Sequence, residues 1–121
     1  MEAVALRFEL DGHTVSHRWW NKELHENGLS PQEQAERDIQ GVKNAECLVV
    51  LNTAKSEGKA VEQGVAIAEE MPIVGIGTGV WNESLSNNVF HTLPNYIWVD
   101  DVEEALLVLA GMRFVRSGRF F

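Results

Sequence analysis

Cysteine is nearly absent from this chain. Cys47 stands alone among 121 residues, so no internal disulfide can form, which points to a reducing compartment or a fold that needs no covalent staple. Cations are scarce as well: ten Lys and Arg stand against 18 Asp and Glu, a net charge of −8. That balance argues against general DNA or RNA binding, which needs a cationic face to displace counterions. It leaves room for a local phosphate pocket. No apolar run approaches the ~20 residues required to span a membrane, and no secretory signal pattern opens the sequence. Internal repeats, low-complexity tracts and linkers are missing too. What is present is ordinary globular material, 45% hydrophobic and 23% charged, long enough for one domain over residues 1–121 with a sizeable core. The expectation is a soluble, cytoplasmic single domain.

The apolar spacing predicts an alternation of helices and strands. Residues 1–10 read as a helix ended by Asp11-Gly12, and residues 13–20, rich in β-branched and aromatic side chains, as a strand. Ser30, Pro31 and Glu33 form a capping-box start for a helix to about residue 44, in which Ala35, Ile39 and Val42 recur at helical spacing. Residues 47–51 form a continuous apolar run, expected of a strand buried on both faces of a parallel sheet. A helix over 59–71 is stopped by Pro72, and its Ala60, Gly64 and Ala68 make a row suited to close packing against a neighbour. Strands over 73–77 and 96–99 follow, separated by an irregular loop over 78–94. Asp100 and Glu103 suggest a second capping box before a helix over 101–110. Residues 112–115 read as a last strand. Strands separated by helices imply βαβ units and a parallel sheet with helices on both faces.

Two carboxylates stand out. Asp38 lies three residues after Ala35 and four before Val42, so it projects from the apolar stripe. An edge carboxylate paired with an Arg or a backbone amide is the ordinary reading, and a functional acid the sharper one. Glu62 follows the apolar strand in Gly58-Lys59-Ala60-Val61-Glu62-Gln63-Gly64. That places it in the first turn of a helix at the carboxyl edge of the sheet, where open α/β sheets bind ligands. A helix dipole there favours a carboxylate that stays ionised, which suits a nucleophile. His13 and His17 share a strand face without a third metal ligand, and His25 and His91 have no assignable role. Trp19 and Trp20 suit core or rim positions before ligand stacking. Gly75, Gly77 and Gly79 lack dinucleotide-binding spacing or a Walker lysine. Cys47 opens a buried strand with no base beside it, an inert core thiol.

These pieces together resemble the nucleoside 2-deoxyribosyltransferase family. The likeness is carried by residues 58–68 (GKAVEQGVAIA), Pro72 and the glycine-ended strand after it, Asn88-Val89-Phe90-His91 and Leu93-Pro94. Upstream, Ser16-His17-Arg18-Trp19-Trp20 and Ala35-Glu36-Arg37-Asp38-Ile39 share the pattern, so the likeness runs over residues 13–110. It implies a flavodoxin-like or Rossmann-like three-layer α/β sandwich with a parallel sheet of about five strands. It implies that Glu62 attacks the anomeric carbon of a 2-deoxyribosyl group, that Asp38 lines the same pocket, and that Asn88 comes near the ligand, often across a subunit interface. Gly58, of the same segment, and Trp19 are expected to contact substrate. The family uses no metal and no organic cofactor. Its partners are a nucleoside or nucleotide and a free base, and homodimers or higher homo-oligomers are expected, with no nucleic acid or membrane.

One departure bears on the fold. Family members usually open with the sheet's central strand and a sugar-pocket loop, whereas this sequence starts at the element after them. Residues 112–121 (MRFVRSGRFF) resemble that missing opening, with Ser117, Gly118, Arg119 and Phe120 in the loop. The expectation is a circular permutation that puts the central strand at the C-terminal end. Lys55 and Lys59 flank the turn before Glu62 and could reach a phosphate. The aromatic side chains Trp19, Trp20, Phe90, Phe120 and Phe121 could stack a base and exclude water, which favours transfer of deoxyribose between bases. The alternatives are a hydrolase of deoxynucleoside 5′-monophosphates, a non-catalytic nucleotide-binding protein of the same fold, and an assembly subunit that uses the fold for contacts alone.

Overall fold

A computed structural model describes residues 2–15, 28–51, 57–77, 89–112 and, as backbone, 119–120. Among them are four α-helices: α1 (Glu2–Leu10), α2 (Pro31–Asn44), α3 (Glu57–Ala68) and α4 (Val102–Met112). The strands are β1 (Thr14–Val15), β2 (Leu48–Leu51), β3 (Ile73–Ile76), β4 (Tyr96–Val99) and β5 (Arg119–Phe120). The chain is a mixed α/β structure around a parallel three-strand sheet ordered β2-β3-β4, with Leu48 opposite Ile73 and Ile73 opposite Tyr96. β1 and β5 form a second, two-strand parallel ladder, Thr14 with Arg119 and Val15 with Phe120.

Alternation along the strands divides the core into two. Cys47, Val74, Ile76 and Val99 point to one side and pack with Phe8 of α1 and Ala105, Leu106 and Leu109 of α4. Val15 and Met112 pack against the same cluster. Leu48, Val50, Ile73 and Tyr96 point to the other side, with Val42 at the end of α2 and Ala66 of α3. Helical residues thus cover both faces, which is why β2 and β3 carry apolar residues at every position.

Local chemistry sets the helix ends. The Ser30 hydroxyl accepts from the Glu33 amide at 3.2 Å, and the Glu33 carboxylate accepts from the Ser30 amide at 3.2 Å, the reciprocal box expected of Ser-x-x-Glu. Those contacts hold the Glu33 carboxyl below its ordinary value, the Ser30 side-chain bond first among the causes. Asp11-Gly12 ends α1 as expected: the His13 and Gly12 amides turn back to the carbonyls of Phe8 and Glu9, with Gly12 at φ 90°. α3 ends the same way, on Met71 to Ala66 and Glu70 to Ile67, but here Glu70 takes the left-handed position at φ 56°. The helix therefore stops at Ala68, short of the expected residue 71, and it begins at Glu57, ahead of the expected 59.

Other expectations are corrected. The second cap is shifted by one residue: Asp101 Oδ1 accepts from the Glu104 amide at 2.8 Å, and the Glu104 carboxylate accepts from the Asp100 amide at 2.9 Å. Glu103 is turned outward and receives Arg7 Nε and Nη2, both at 2.9 Å, which ties α4 to α1. α4 runs on to Met112, so Met112 is helical and does not open a strand; residues 113–118 lie outside the described residues. The last strand is Arg119–Phe120, so two residues assigned to the loop lie in a ladder. The strand expected over 13–20 is described only at Thr14–Val15. Ala60, Gly64 and Ala68 are exposed, so that row of small residues faces outward and α3 buries Gln63 and Ala66 instead.

Gly75 shows a close approach. It lies opposite Trp98, and a Cβ added there would stand 2.1–2.7 Å from three atoms of the indole ring. The indole covers this glycine, and its Nε1 donates to the His91 carbonyl at 3.1 Å. That bond ties the 3-10 turn Val89–Thr92 to the sheet.

Candidate functional site

The site is built where β2 passes into α3. In a parallel α/β unit this is the carboxyl edge of the sheet, where strand carbonyls and helix amides open toward a ligand. Lys59, in the first turn of α3, donates from Nζ to the Leu51 carbonyl at 3.0 Å, which clamps the start of the helix to the end of the strand. Gly58 stands beside it, exposed, with open space where a side chain would be.

Because α3 begins at Glu57, Glu62 lies in its second turn, not its first. The dipole acts mainly within the first turn, so it does not dominate here. Glu62 is half-buried, and its carboxyl is pushed up to about 7, first by burial, next by the neighbouring Asp38 carboxylate, and against the pull of Lys59. The expected first-turn placement, with a dipole that favours the ionised carboxylate, is therefore corrected. Desolvation and a like charge outweigh the pull of the lysine.

Asp38 reaches this point from α2, which packs along α3. The apolar stripe that was expected to bury it is only partly a core stripe. Val42 is fully buried, whereas Ala35 is exposed and Ile39 is 37% exposed, which leaves Asp38 half-buried. Two carboxylates from different helices thus share one electrostatic environment with one lysine. Such an arrangement can hold a proton near neutral pH and present an anion toward the sheet edge, which is what general acid–base or nucleophilic chemistry requires.

The helix that carries Glu62 also joins a polar and aromatic group that the sequence did not announce. Gln63, next to Glu62, is buried, and its Oε1 accepts from the Tyr96 hydroxyl at 2.6 Å. Tyr96 and Trp98 stack with centroids 5.5 Å apart, and the buried His91 ring lies 5.3 Å and 5.0 Å from them. Burial pushes the His91 imidazole below its ordinary value and raises the Tyr96 phenol to about 12. Tyr96 and Trp98 share a face as alternate residues of one strand, whereas Gln63 comes from 33 residues away and no spacing rule pairs it with Tyr96.

The other candidates divide plainly. Asn88, Ser117, Gly118, Trp19, Trp20, His17, His25, Lys55 and Phe121 lie outside the described residues. Arg119 and Phe120 pair with β1. Phe90 is 60% exposed on its 3-10 turn. His13 is buried against Phe8, with its Nε2 3.8 Å from Asp11 Oδ2. Cys47 is fully buried and its Sγ lies 3.5 Å from the Leu48 carbonyl oxygen, in keeping with a core thiol. Among the described residues, no three His, Cys, Asp or Glu side chains are grouped to hold a metal ion, and no helix is long and apolar enough to cross a membrane.

Comparison of the chain with models of protein families, with curated proteins and with solved structures gives no match.

Proposed function

We propose that this chain cleaves the N-glycosidic bond of a 2′-deoxynucleoside and passes the sugar to a second base, as a circularly permuted relative of the nucleoside 2-deoxyribosyltransferases. The observation that carries the reading is the meeting of Glu62 and Asp38 beside Lys59 at the carboxyl edge of β2. In this reading the ionised Glu62 carboxylate attacks the anomeric carbon as the bond to the base nitrogen breaks. The electron pair leaves with the base, which takes a proton from the acidic pair or from solvent. The glutamyl ester of deoxyribose is then attacked by a second base, and Glu62 is released. This is the logic of a retaining glycosidase with a nitrogen leaving group. A carboxyl at about 7 is partly ionised near neutral pH, which leaves an anion for the attack and a proton within the acidic pair for the departing base.

The fold part of the proposal is a flavodoxin-like sandwich with the order β1-β5-β2-β3-β4. Three of its four neighbour relations are those of the described ladders, and the pairing of β5 with β2 is the part proposed. The parallel β1–β5 ladder supports it, and so does the sharing of one core cluster by α1, α4 and Val15.

Incubation with deoxyinosine plus adenine, and separately with each deoxynucleoside 5′-monophosphate, tests the reaction by chromatography of bases and nucleosides. New deoxyadenosine is the expected result, together with a deoxyribosyl adduct on the Glu62 peptide by mass spectrometry. Base release from monophosphates alone would replace transfer by hydrolysis. Silence in both would retire the enzymatic reading. For the fold, a chain rearranged so that residues 113–121 precede Met1 should keep the same circular dichroism and activity.

A further inference from the structure

We infer that Lys59 is a positioning residue for Glu62: its ammonium, anchored on the Leu51 carbonyl, is the counter-charge that keeps the Glu62 carboxylate available beside Asp38. The proposal rests on the reading of Glu62 as the nucleophile, but the coupling it describes is measurable without turnover. Its geometry begins with spacing. Lys59 and Glu62 are three residues apart on α3, so they share one helix face. Lysine is a flexible point charge that would ordinarily extend into water. Here Nζ is held 3.0 Å from the Leu51 oxygen, which fixes the charge at the strand–helix junction.

The surroundings decide what that charge does. Of the described elements packed on α3, α2 brings Asp38, β4 brings Tyr96, whose hydroxyl is taken up by Gln63, and β2, made of Leu48, Val49, Val50 and Leu51, carries no titratable side chain. Burial and Asp38 both disfavour an ionised Glu62, and Lys59 opposes them. Glu62 lies too far along α3 for the helix dipole to take over that task. Loss of the ammonium would leave two carboxylates facing each other, and Glu62 would hold its proton at neutral pH. A lysine held on the Leu51 carbonyl also has less freedom to serve as a phosphate clamp.

The test is a titration of the Glu62 carboxyl by NMR in glutamate-labelled protein without substrate, with its signal assigned by its loss in Glu62→Gln. Lys59→Met should move the midpoint up by about one pH unit, and Lys59→Arg should return it to within a few tenths. Lys59→Gln removes the charge but keeps a donor for Leu51, so it should shift like Lys59→Met even where the latter loosens the strand–helix junction. Asp38→Asn should move the midpoint the other way. In the active enzyme the acidic limb of kcat/KM should shift with the NMR midpoint. An unmoved midpoint in both Lys59→Met and Lys59→Gln overturns the proposal, as does an Arg variant that titrates like the Met variant. Coupling without turnover would retire the glycosidic reading alone, and turnover without coupling would retire Lys59 alone.

Discussion

The two faces of the sheet are packed on different principles. Under α1 and α4 the core is Phe8, Cys47, Val74, Ile76, Val99, Ala105, Leu106 and Leu109, a cluster held by shape and dispersion. Under α2 and α3 the aliphatic residues share the space with Tyr96, Gln63 and His91, and the Glu62–Asp38 pair lies along the same helices. The first face is mainly apolar, with His13 buried against Phe8 at its margin. The second accepts the cost of buried polar groups to place a pair of interacting acids near a strand end. The difference suggests a division of labour: mutations on the α1–α4 face should act through stability, and those on the α2–α3 face should separate stability from activity.

Glu62→Gln should break the comparison furthest. Loss of the nucleophile is expected to lower kcat/KM by at least about 10³-fold, read by base exchange. The same change should stabilise the protein at alkaline pH. A carboxyl whose folded value is raised to about 7 costs no stability below its unfolded value, and the cost develops as pH rises from about 4.5 through 7. Gln removes it, so urea melts at pH 8 should show a gain of about 1–3 kcal/mol, allowing for the solvent that still reaches the side chain. The gain should vanish at pH 4. Equal melts at both pH values would contradict the electrostatics assigned to the site.

Leu109→Ala is the counterpart on the other face. Leu109 is fully buried, and its truncation should cost about 2–5 kcal/mol in denaturant melts. Activity of the folded fraction at low temperature should stay within about twofold of the parent. A large loss of activity there would show that the faces are not separate.

Tyr96→Phe sharpens the contrast. It strands the buried Gln63 Oε1 that the phenol now satisfies, with an expected cost of about 1–3 kcal/mol. Adding Gln63→Leu should restore part of that loss, because an apolar pair needs no partner. A double variant no better than the single would mean that packing, not the hydrogen bond, carries the effect.

The smallest effect lies at a helix end. α1 and α3 close with the same hydrogen-bond pattern, one through Gly12 and the other through Glu70 at φ 56°. Glu70→Gly should remove the penalty of a side chain in the left-handed region and stabilise the protein by about 0.5–1 kcal/mol. The matching change at the other end, Gly12→Ala, should lower the melting midpoint.

The sequence by itself determined whatever depends on near neighbours. The Ser30–Glu33 box, the Asp11-Gly12 stop and the strands at 48–51, 73–76 and 96–99 were legible because caps, turns and apolar runs act within a few residues. Asp38 and Glu62 could be named for the same reason, as an acid on an apolar stripe and an acid just after a strand. Their electrostatic meeting, and the value of Glu62, were decided by tertiary structure alone. Burial and the charge of another helix act through space, and no local pattern records them. The same holds for Tyr96 with Gln63 across 33 residues, for Trp98 against Gly75, and for Arg119 and Phe120 beside β1. Position along the chain set the elements, and distance in the folded molecule set the chemistry between them.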